Sequence, residues 1–426
     1  MLDIKFIRSN PDIVRADLAK RGDKEKQEWL EDLIAKDKEY RQLLTDLEAL
    51  RAEKNRITKK IAMALKEGMD TSNEKEMAAR LPNKISEMEA RVAELYEKIK
   101  FYLMRLPNIM HKSVPVGKDE KDNVTIREWG NKREFDFPPK SHVDIIQELD
   151  LADIDRAAKI SGARFYILKN DLVLLDLALL FYTMNHLMKK GFSPILPPFM
   201  MRKEAYEGVV DLSDFETVMY KIEGEDLYNI ATAEHPMIAM HMDEILPEES
   251  LPLKYVGISP CFRKEAGAHG KDTKGIFRVH QFNQTEQIVI CKPEESWNIH
   301  EELVRNAEEI FQALGIPYRV VDTCTGDLGT VAARKYDIEA WMPAQNRYRE
   351  VISCSNCTSY QAVRLNIKYG RVGGEKEYVH TLNATGIATT RAIVAIIENY
   401  QNKDGSIAIP EPLVPYVGKE KITRKG

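Results

Sequence analysis

The sequence predicts an α+β chain: an antiparallel β-sheet core flanked by helices, carrying an N-terminal antiparallel two-helix coiled-coil arm. Three observations carry this reading. A heptad seam of apolar residues runs through residues 27–106. Beyond it, short strand-like runs arrive in clusters and not in strict alternation with helices. The composition, 43% hydrophobic and 30% charged over 426 residues, is that of a packed protein and excludes a disordered or collagen-like chain.

Length suggests two to three domains at about 150 residues each. The balance of 62 Lys+Arg against 67 Asp+Glu leaves a net charge of −5 and a pI near 6.1. A simple nucleic-acid-binding domain is usually more basic, so any such surface has to be local. Five cysteines scattered over this length are no disulfide framework. The N-terminus, MLDIKFIRSNPDIVR, has no apolar core of a signal peptide. The most apolar run, Leu172 to Tyr182, is broken by Asp176 and falls short of the roughly 20 residues that span a bilayer. A reducing, cytoplasmic setting is expected.

In chain order, the arm comes first. Leu81, Met88, Leu95 and Tyr102 recur every seven residues, as do Ile85, Val92, Ile99 and Leu106. Leu33, Tyr40 and Leu47, with Leu43, Leu50 and Ile57, form the matching seam of an earlier helix. Gly68 suits the end of that helix, and Thr71 or Ser72 the cap of the next. Two helices of about 35 residues would reach on the order of 50 Å at 1.5 Å per residue. Pro82 predicts a kink, or a second helix that begins in earnest near it. Cations gather near the tip: Arg51, Lys54, Arg56, Lys59, Lys60 and Lys66, opposed mainly by Glu53 and Glu67. They read either as a solvated helix face or as a contact for a phosphate backbone. The expected organisation is an N-terminal domain over residues 1–110 with its arm at 27–106, a Pro- and Gly-containing linker over 111–140, and a large domain over 141–426.

In that large domain Leu172–Lys190 reads as a helix, followed by a strand-like piece, Gly191–Pro198, closed by prolines. Strands are expected at Leu253–Ile258, Phe277–Phe282, Gln287–Cys291, Tyr318–Val321 and Tyr336–Met342. Helices are expected at Glu294–Leu314 and Thr389–Tyr400.

The two commonest phosphate-binding loops are absent. Gly270-Lys271-Asp272-Thr273 lacks both the upstream glycine and the hydroxyl beside the lysine, and no G-x-G-x-x-G follows a strand. A bound nucleotide would be held by side chains. Gly257–Glu286 offers them: Arg263 and Arg278 on two strand-like pieces could grip phosphate. Phe282 has a flat face for a purine, and Glu265 and Glu286 accept from amino groups. An exposed hairpin with surface salt bridges fits the same residues piece by piece. Further on, Glu350 and Ser353 could share Mg²⁺ through oxygen. Cys354-x-x-Cys357 could begin a zinc site, but no second C-x-x-C follows, and buried thiols are the plainer reading. Finally, Thr381–Arg391 is a small-residue turn entering an apolar helix. Arg391 in its first turn opposes the helix dipole and needs a carboxylate or a bound phosphate as partner.

Together these residues resemble the seryl-tRNA synthetase family of class II aminoacyl-tRNA synthetases, in its archaeal or eukaryotic-like form, over nearly the whole chain. Gly191–Pro198 is similar to motif 1, Phe262–Phe282 to motif 2, and Gly386–Arg391 with its helix to motif 3. Thr232-Ala233-Glu234 and the Ser353-Cys354-Ser355-Asn356 run resemble the seryl branch. The resemblance implies ATP-dependent ligation of L-serine to tRNA(Ser), with tRNA(Sec) as a further candidate, by a homodimer using ATP and Mg²⁺. Zinc is not expected, since the zinc-dependent variant of the family lacks such an arm.

By the same resemblance Arg263 and Arg391 would be catalytic. ATP would be bound by Arg263, Lys264, Glu265, Arg278, Val279, His280, Gln281, Phe282, Glu350, Val351, Ile352, Ser353 and Arg391. Mg²⁺ would be held by Glu350 and Ser353. Serine would be bound by Thr232, Ala233, Glu234, Arg263, Glu286, Asn383 and Thr385, and tRNA by Arg51, Lys54, Arg56, Lys59 and Lys60. Two other classes compete. A ligase loading a carrier protein resembles the core without the arm. A non-catalytic tRNA-binding relative would have lost Arg263, Glu265, Phe282, Glu350 and Arg391, all of which are present.

Overall fold

The computed structural model describes residues 1–211, 215–265, 274–371 and 373–424. The run Gly270-Lys271-Asp272-Thr273 therefore lies outside the described residues. The chain divides into two compact units, Leu2–Leu106 and Pro107–Gly426, the second including Met1.

The smaller unit is helical: α1 (Ile4–Ser9), α2 (Pro11–Arg21), α3 (Lys24–Lys66) and α4 (Ser72–Leu103). Asp23 caps α3 by accepting from the Lys26 amide at 3.0 Å. The chain leaves α3 through Gly68, whose φ of 71° suits a residue without a Cβ. Thr71 is the N-cap of α4, as expected, but makes no side-chain cap bond; Asp70 before it accepts from the Ser72 amide at 3.0 Å. The helices are antiparallel. Asp32 near the start of α3 accepts from the Tyr102 hydroxyl at 2.6 Å, while Lys60 near its end meets Glu74 at 2.8 Å. Leu33, Leu47, Ile57, Leu81, Ile85, Leu95 and Ile99 of the seam are buried. Pro82 does not begin α4. It sits on the exposed side ten residues in, so its ring costs nothing at the seam.

The larger unit is built on an eight-stranded sheet. Its strands are β1 (Val124–Trp129), β2 (Ser193–Ile195), β3 (Leu253–Phe262), β4 (Gln281–Cys291), β5 (Tyr318–Asp322), β6 (Arg334–Met342), β7 (Arg347–Asn356) and β8 (His380–Ala388). The order across the sheet is β1-β5-β6-β7-β8-β4-β3-β2, antiparallel throughout except β2 beside β3. Helices packed on it include α5 (Asp171–Met188), α7 (Ser296–Ala313) and α8 (Thr389–Asn399), with the short α6 (Glu234–Ala239) beside β4. Among the described residues α5 is the one helix long and apolar enough to cross a membrane, and half of it is buried in the protein.

Two expectations change here. The segment 111–140 is not a plain linker, because Val124–Trp129 pairs with β5 as the sheet's edge. Its six residues are all exposed, and the brief alternation of Val124 and Ile126 with Thr125 and Arg127 is too short to mark a strand. Second, the strands expected at 277–282 and 287–291 are one strand, Gln281–Cys291. The polar run Asn283–Glu286 interrupts its apolar pattern because part of it faces a cavity. Ile276, Phe277 and Val279 are buried without strand pairing, so Arg278 stands on a connecting segment and not on a strand.

Candidate functional site

The site lies where β3, β4, β7 and β8 present their cavity-facing side chains. Period-2 alternation places Gln284 and Glu286 of β4 on one face, with Asn383 and Thr385 of β8 beside them. Glu286 pairs in register with Thr385 and with Gly257 of β3. Two irregularities then aim the remaining groups. Gly386 is an extra residue in β8, between the pairs Thr385–Glu286 and Ile387–Thr285. A Cβ there would stand 2.6 Å from the Thr285 hydroxyl and 2.9 Å from the Thr183 methyl, so only glycine fits. In β7 the extra residue is Val351, between Glu350–Glu339 and Ile352–Ile338. Residues three apart on a regular strand face opposite ways. The bulge turns Glu350 onto the face of Ser353 and Ser355, and all three line one cavity.

The Thr232-Ala233-Glu234 run opens α6. Gly257 lets this helix press on β3, since a Cβ there would lie 2.1 Å from the Met237 sulfur and 3.0 Å from the Ala233 methyl. The Thr232 hydroxyl accepts from the Glu234 amide at 3.2 Å. Arg263, just past β3, is fixed from both sides. Its Nε donates to the Ala231 carbonyl at 3.1 Å and its amide to the His280 carbonyl at 2.9 Å.

A cavity of about 420 Å³ gathers Thr232, Glu234, Arg263, Glu286, Glu350, Ser353, Asn383 and Thr385. A cleft next to it is lined by Arg263, Glu265, Phe277, Arg278, Val279, Phe282 and Arg391. Arg263 belongs to both, with its guanidinium 5.2 Å from the Phe282 ring centre. A third space of about 590 Å³ continues past Arg278, Glu350 and Arg391 to Arg319, Arg347 and Arg349. Arg391 does have a carboxylate partner: it donates to Glu350 Oε1 at 2.9 Å and to the Glu350 carbonyl at 3.1 Å. Glu265 accepts from Arg278 at 2.9 Å.

The electrostatics of the 420 Å³ cavity favour a cation. Burial pushes the Glu234 carboxyl up to about 7, although the Gln361 amide and the Arg263 charge oppose it. Burial and the Glu234 charge push Glu286 well above the usual carboxylate range. Glu286 is hydrogen-bonded by the Gln284 amide. At Glu350 burial alone would raise the carboxyl, but Arg391 and Lys335 more than offset it, and the group is held below its ordinary value. Burial pushes its neighbour Asp337 up to about 7, with the Glu350 charge adding to burial and Lys335 opposing it.

Several expected contributors do not line these spaces. Val351 and Ile352 are buried in the core, on the far side of the bulge. Ala233 is turned to Gly257. His280 packs at a tilt against Phe165, with ring centres 5.3 Å apart, and is hydrogen-bonded to the Arg263 carbonyl. Lys264 is placed over Tyr220, and Gln281 is exposed at the start of β4. The sequence reading missed Asp211, His235, Gln284, Thr330, Ser355 and Cys357 in the large cavity and Phe277 in the cleft. Gln284 and Ser355 were findable, each standing two residues from an expected strand residue. The others arrive from loops or a helix start, with no periodicity to announce them. All five thiols are buried, and burial raises those of Cys354 and Cys357 well above the ordinary value. They are poor nucleophiles and poor metal ligands as they stand.

In the smaller unit Lys54 and Lys59 are exposed and make no ion pair among the described residues. Arg51 reaches Glu89 at 2.6 Å, Lys60 reaches Glu74 at 2.8 Å, and Arg56 stands 4.0 Å from Glu53. Exposed pairs of this kind are worth at most about 1 kcal/mol, so they leave these cations open to exchange partners.

A mainly antiparallel sheet with arginines before β4 and at the head of α8, and no glycine-rich phosphate loop among the described residues, is the arrangement of a class II aminoacyl-tRNA synthetase core. Residues 217–400 match the tRNA synthetase class II core domain (G, H, P, S and T), and residues 1–110 match the seryl-tRNA synthetase N-terminal domain. The serine–tRNA ligase of Methanocella arvoryzae is 56% identical over 98% of this chain and 99% of its own length. The crystal structure of seryl-tRNA synthetase from Pyrococcus horikoshii complexed with ATP has a TM-score of 0.95 and 52% identity, covering 100% of both chains. The cytoplasmic serine–tRNA ligase of Naegleria fowleri in complex with AMP has a TM-score of 0.88 at 39% identity, covering 100% of this chain and 99% of that one. The chain belongs to the seryl-tRNA synthetase family.

Proposed function

We propose that this protein activates L-serine with ATP and transfers it to the 3′ end of tRNA(Ser), in the cytoplasm. The observation that supports this most directly is the pairing of two spaces through Arg263. One holds two crowded carboxylates suited to an ammonium, the other an aromatic–arginine cleft suited to a purine. Serine would place its ammonium between Glu234 and Glu286, its hydroxyl near Asn383 and Thr385, and its carboxylate at Arg263, with Thr232 alongside. Adenine would lie on Phe282 with its amino group at Glu265, and the phosphates would run to Arg278 and Arg391. The serine carboxylate attacks the α-phosphorus and pyrophosphate leaves. Negative charge grows on phosphoryl oxygens already faced by fixed guanidinium groups, so no covalent catalysis is required. A terminal ribose hydroxyl of the tRNA then attacks the seryl-adenylate and AMP leaves.

Mg²⁺ fits this site. Glu350 is held anionic, Ser353 adds a hydroxyl, and a buried oxygen of Asp337 has no hydrogen-bond partner among the described residues. Among the described residues no group of three His, Cys, Asp or Glu could hold a metal alone. That suits an ion which takes one or two carboxylates and completes its shell with phosphate and water. When bound, it would neutralise phosphoryl charge.

The test is ATP–pyrophosphate exchange with serine, threonine, alanine and glycine. Serine is expected to support exchange far better than the rest. Alanine leaves buried polar groups unpaired and threonine carries an extra methyl. No exchange with serine would end the reading. The same assay carries a pH signature. A cation selects the ionised form of Glu234, so serine binding takes up the cost of releasing its proton. The serine KM is expected to rise as pH falls below about 7, by up to about tenfold per unit for one linked proton. A flat profile between pH 6 and 8 would remove the ammonium from Glu234.

A homodimer completes the reading. Leu174, Leu177, Phe181 and Met188 form an exposed apolar stripe on the outer side of α5, with Leu196, Phe199 and Met200 following it. Such a continuous exposed patch suits a second copy of the chain. Light scattering at micromolar concentration should give twice the chain mass, and Phe181→Glu should shift it towards one chain. A single-chain mass for the unaltered protein would refute the dimer.

A further inference from the structure

Asn108 lies in none of the motifs, yet it is 3% exposed and hydrogen-bonded on every side. Its backbone amide donates to the Thr330 carbonyl at 2.8 Å. Its side-chain amide donates to the Val331 carbonyl at 2.9 Å and the Cys357 carbonyl at 2.8 Å, with the Thr358 hydroxyl 3.0 Å away. Its side-chain oxygen accepts from the Ile109 amide at 2.9 Å. Two carbonyls facing one side-chain group require the nitrogen there, which sets the orientation of the amide.

The carbonyls it holds belong to two chain segments, far apart in sequence, that both line one cavity. Thr330, Val331 and Cys357 all line the 420 Å³ space, with Glu234, Glu286 and Asn383. One wall is the stretch Leu328–Ala332, whose Thr330 hydroxyl also donates to Asp211 at 2.6 Å. The other is the end of β7, where the Asn383 amide lies 3.7 Å from the Cys357 sulfur. Between them Thr358 has a φ of 48°, a conformation unfavourable for a β-branched residue that its surroundings must hold in place.

We infer that Asn108 is a positioning residue of the serine subsite: it clamps the Leu328–Ala332 wall to the Cys357–Thr358 turn and so sets the width of the pocket around the serine side chain. It touches no substrate. The inference rests on reading the 420 Å³ cavity as the serine site.

Asn108→Ala removes both donors: the Val331 carbonyl loses its side-chain partner, and the Cys357 carbonyl is left to the Tyr360 amide and the Thr358 hydroxyl, so the bridge between the two segments is gone. Asn108→Ser restores one donor at shorter reach. Initial-rate exchange is measured with serine and ATP varied in turn, beside thermal melting. The expected result is a serine KM raised at least tenfold in Asn108→Ala and less in Asn108→Ser, with the ATP KM within twofold of the unaltered enzyme in both. Serine should also protect Asn108→Ala against melting less well at equal concentration. A lowered melting temperature with both KM values unchanged would make Asn108 merely structural and overturn the inference. So would equal rises in both KM values. If Asn108→Ala does not fold, Asn108→Ser decides by the same criterion, and failure of both to fold would also overturn it. Should the unaltered enzyme show no serine-dependent exchange, the reading of the cavity itself fails, which is a separate result.

Discussion

Arg263→Ala is expected to abolish serine-dependent ATP–pyrophosphate exchange, with kcat/KM down by about 10³ or more. Losing one preorganised donor to a developing oxyanion typically costs 10² to 10³ in rate, or about 3–4 kcal/mol. Arg263 carries a second load. It borders both the large cavity and the purine cleft, so the same guanidinium would orient the serine carboxylate and face the α-phosphate. It is also a counter-charge to Glu234 and Glu286, whose carboxyls it pulls down against burial. Without it both would rise further and hold the substrate ammonium less well. Arg263→Lys should recover little, because a point charge cannot replace a planar fork already anchored through Nε to the Ala231 carbonyl. Exchange within tenfold of the unaltered enzyme in Arg263→Ala would show that the two spaces are not one active site.

Removing about residues 35–100 and joining the stumps with a short turn is expected to leave exchange within about threefold and to lower tRNA charging by about 10² or more. The join is feasible because α3 and α4 lie side by side at that level, with Asp32 and Tyr102 bonded at 2.6 Å. The excision takes away Arg51, Lys54, Arg56, Lys59 and Lys60, the cations proposed to meet the tRNA backbone. Affinity carried by several phosphate contacts falls steeply when they are lost, and falls with salt for the same reason. The chain divides into two units at Leu106, and Arg263, Glu286, Glu350 and Arg391 all lie in the larger. Equal loss of exchange and charging would refute a modular arm.

How much was legible follows from the range of each signal. The hairpin could be read because a coiled-coil seam is a local code: Leu33, Leu47, Leu81 and Leu95 recur at a spacing set by the helix alone. The whole-chain charge of −5 misleads for a related reason, since it averages over units with different surfaces. Strands were located less well. The single strand Gln281–Cys291 read as two because its cavity-facing residues are polar, and β1 read as linker because it is exposed.

The sequence by itself determined the secondary-structure periods, the hairpin and the set of charged residues from which a site could be built. Only the tertiary structure decided which of them meet. The bulge at Val351 turns Glu350 onto the cavity face of Ser353 and Ser355, while Val351 and Ile352 are buried in the core. A bulge shifts side-chain facing by one residue, and its position depends on pairing with a strand far away in the chain, which no local pattern encodes. Asn108 shows the same limit: its partners lie 223 to 250 residues away, where only folding brings them within 3.0 Å.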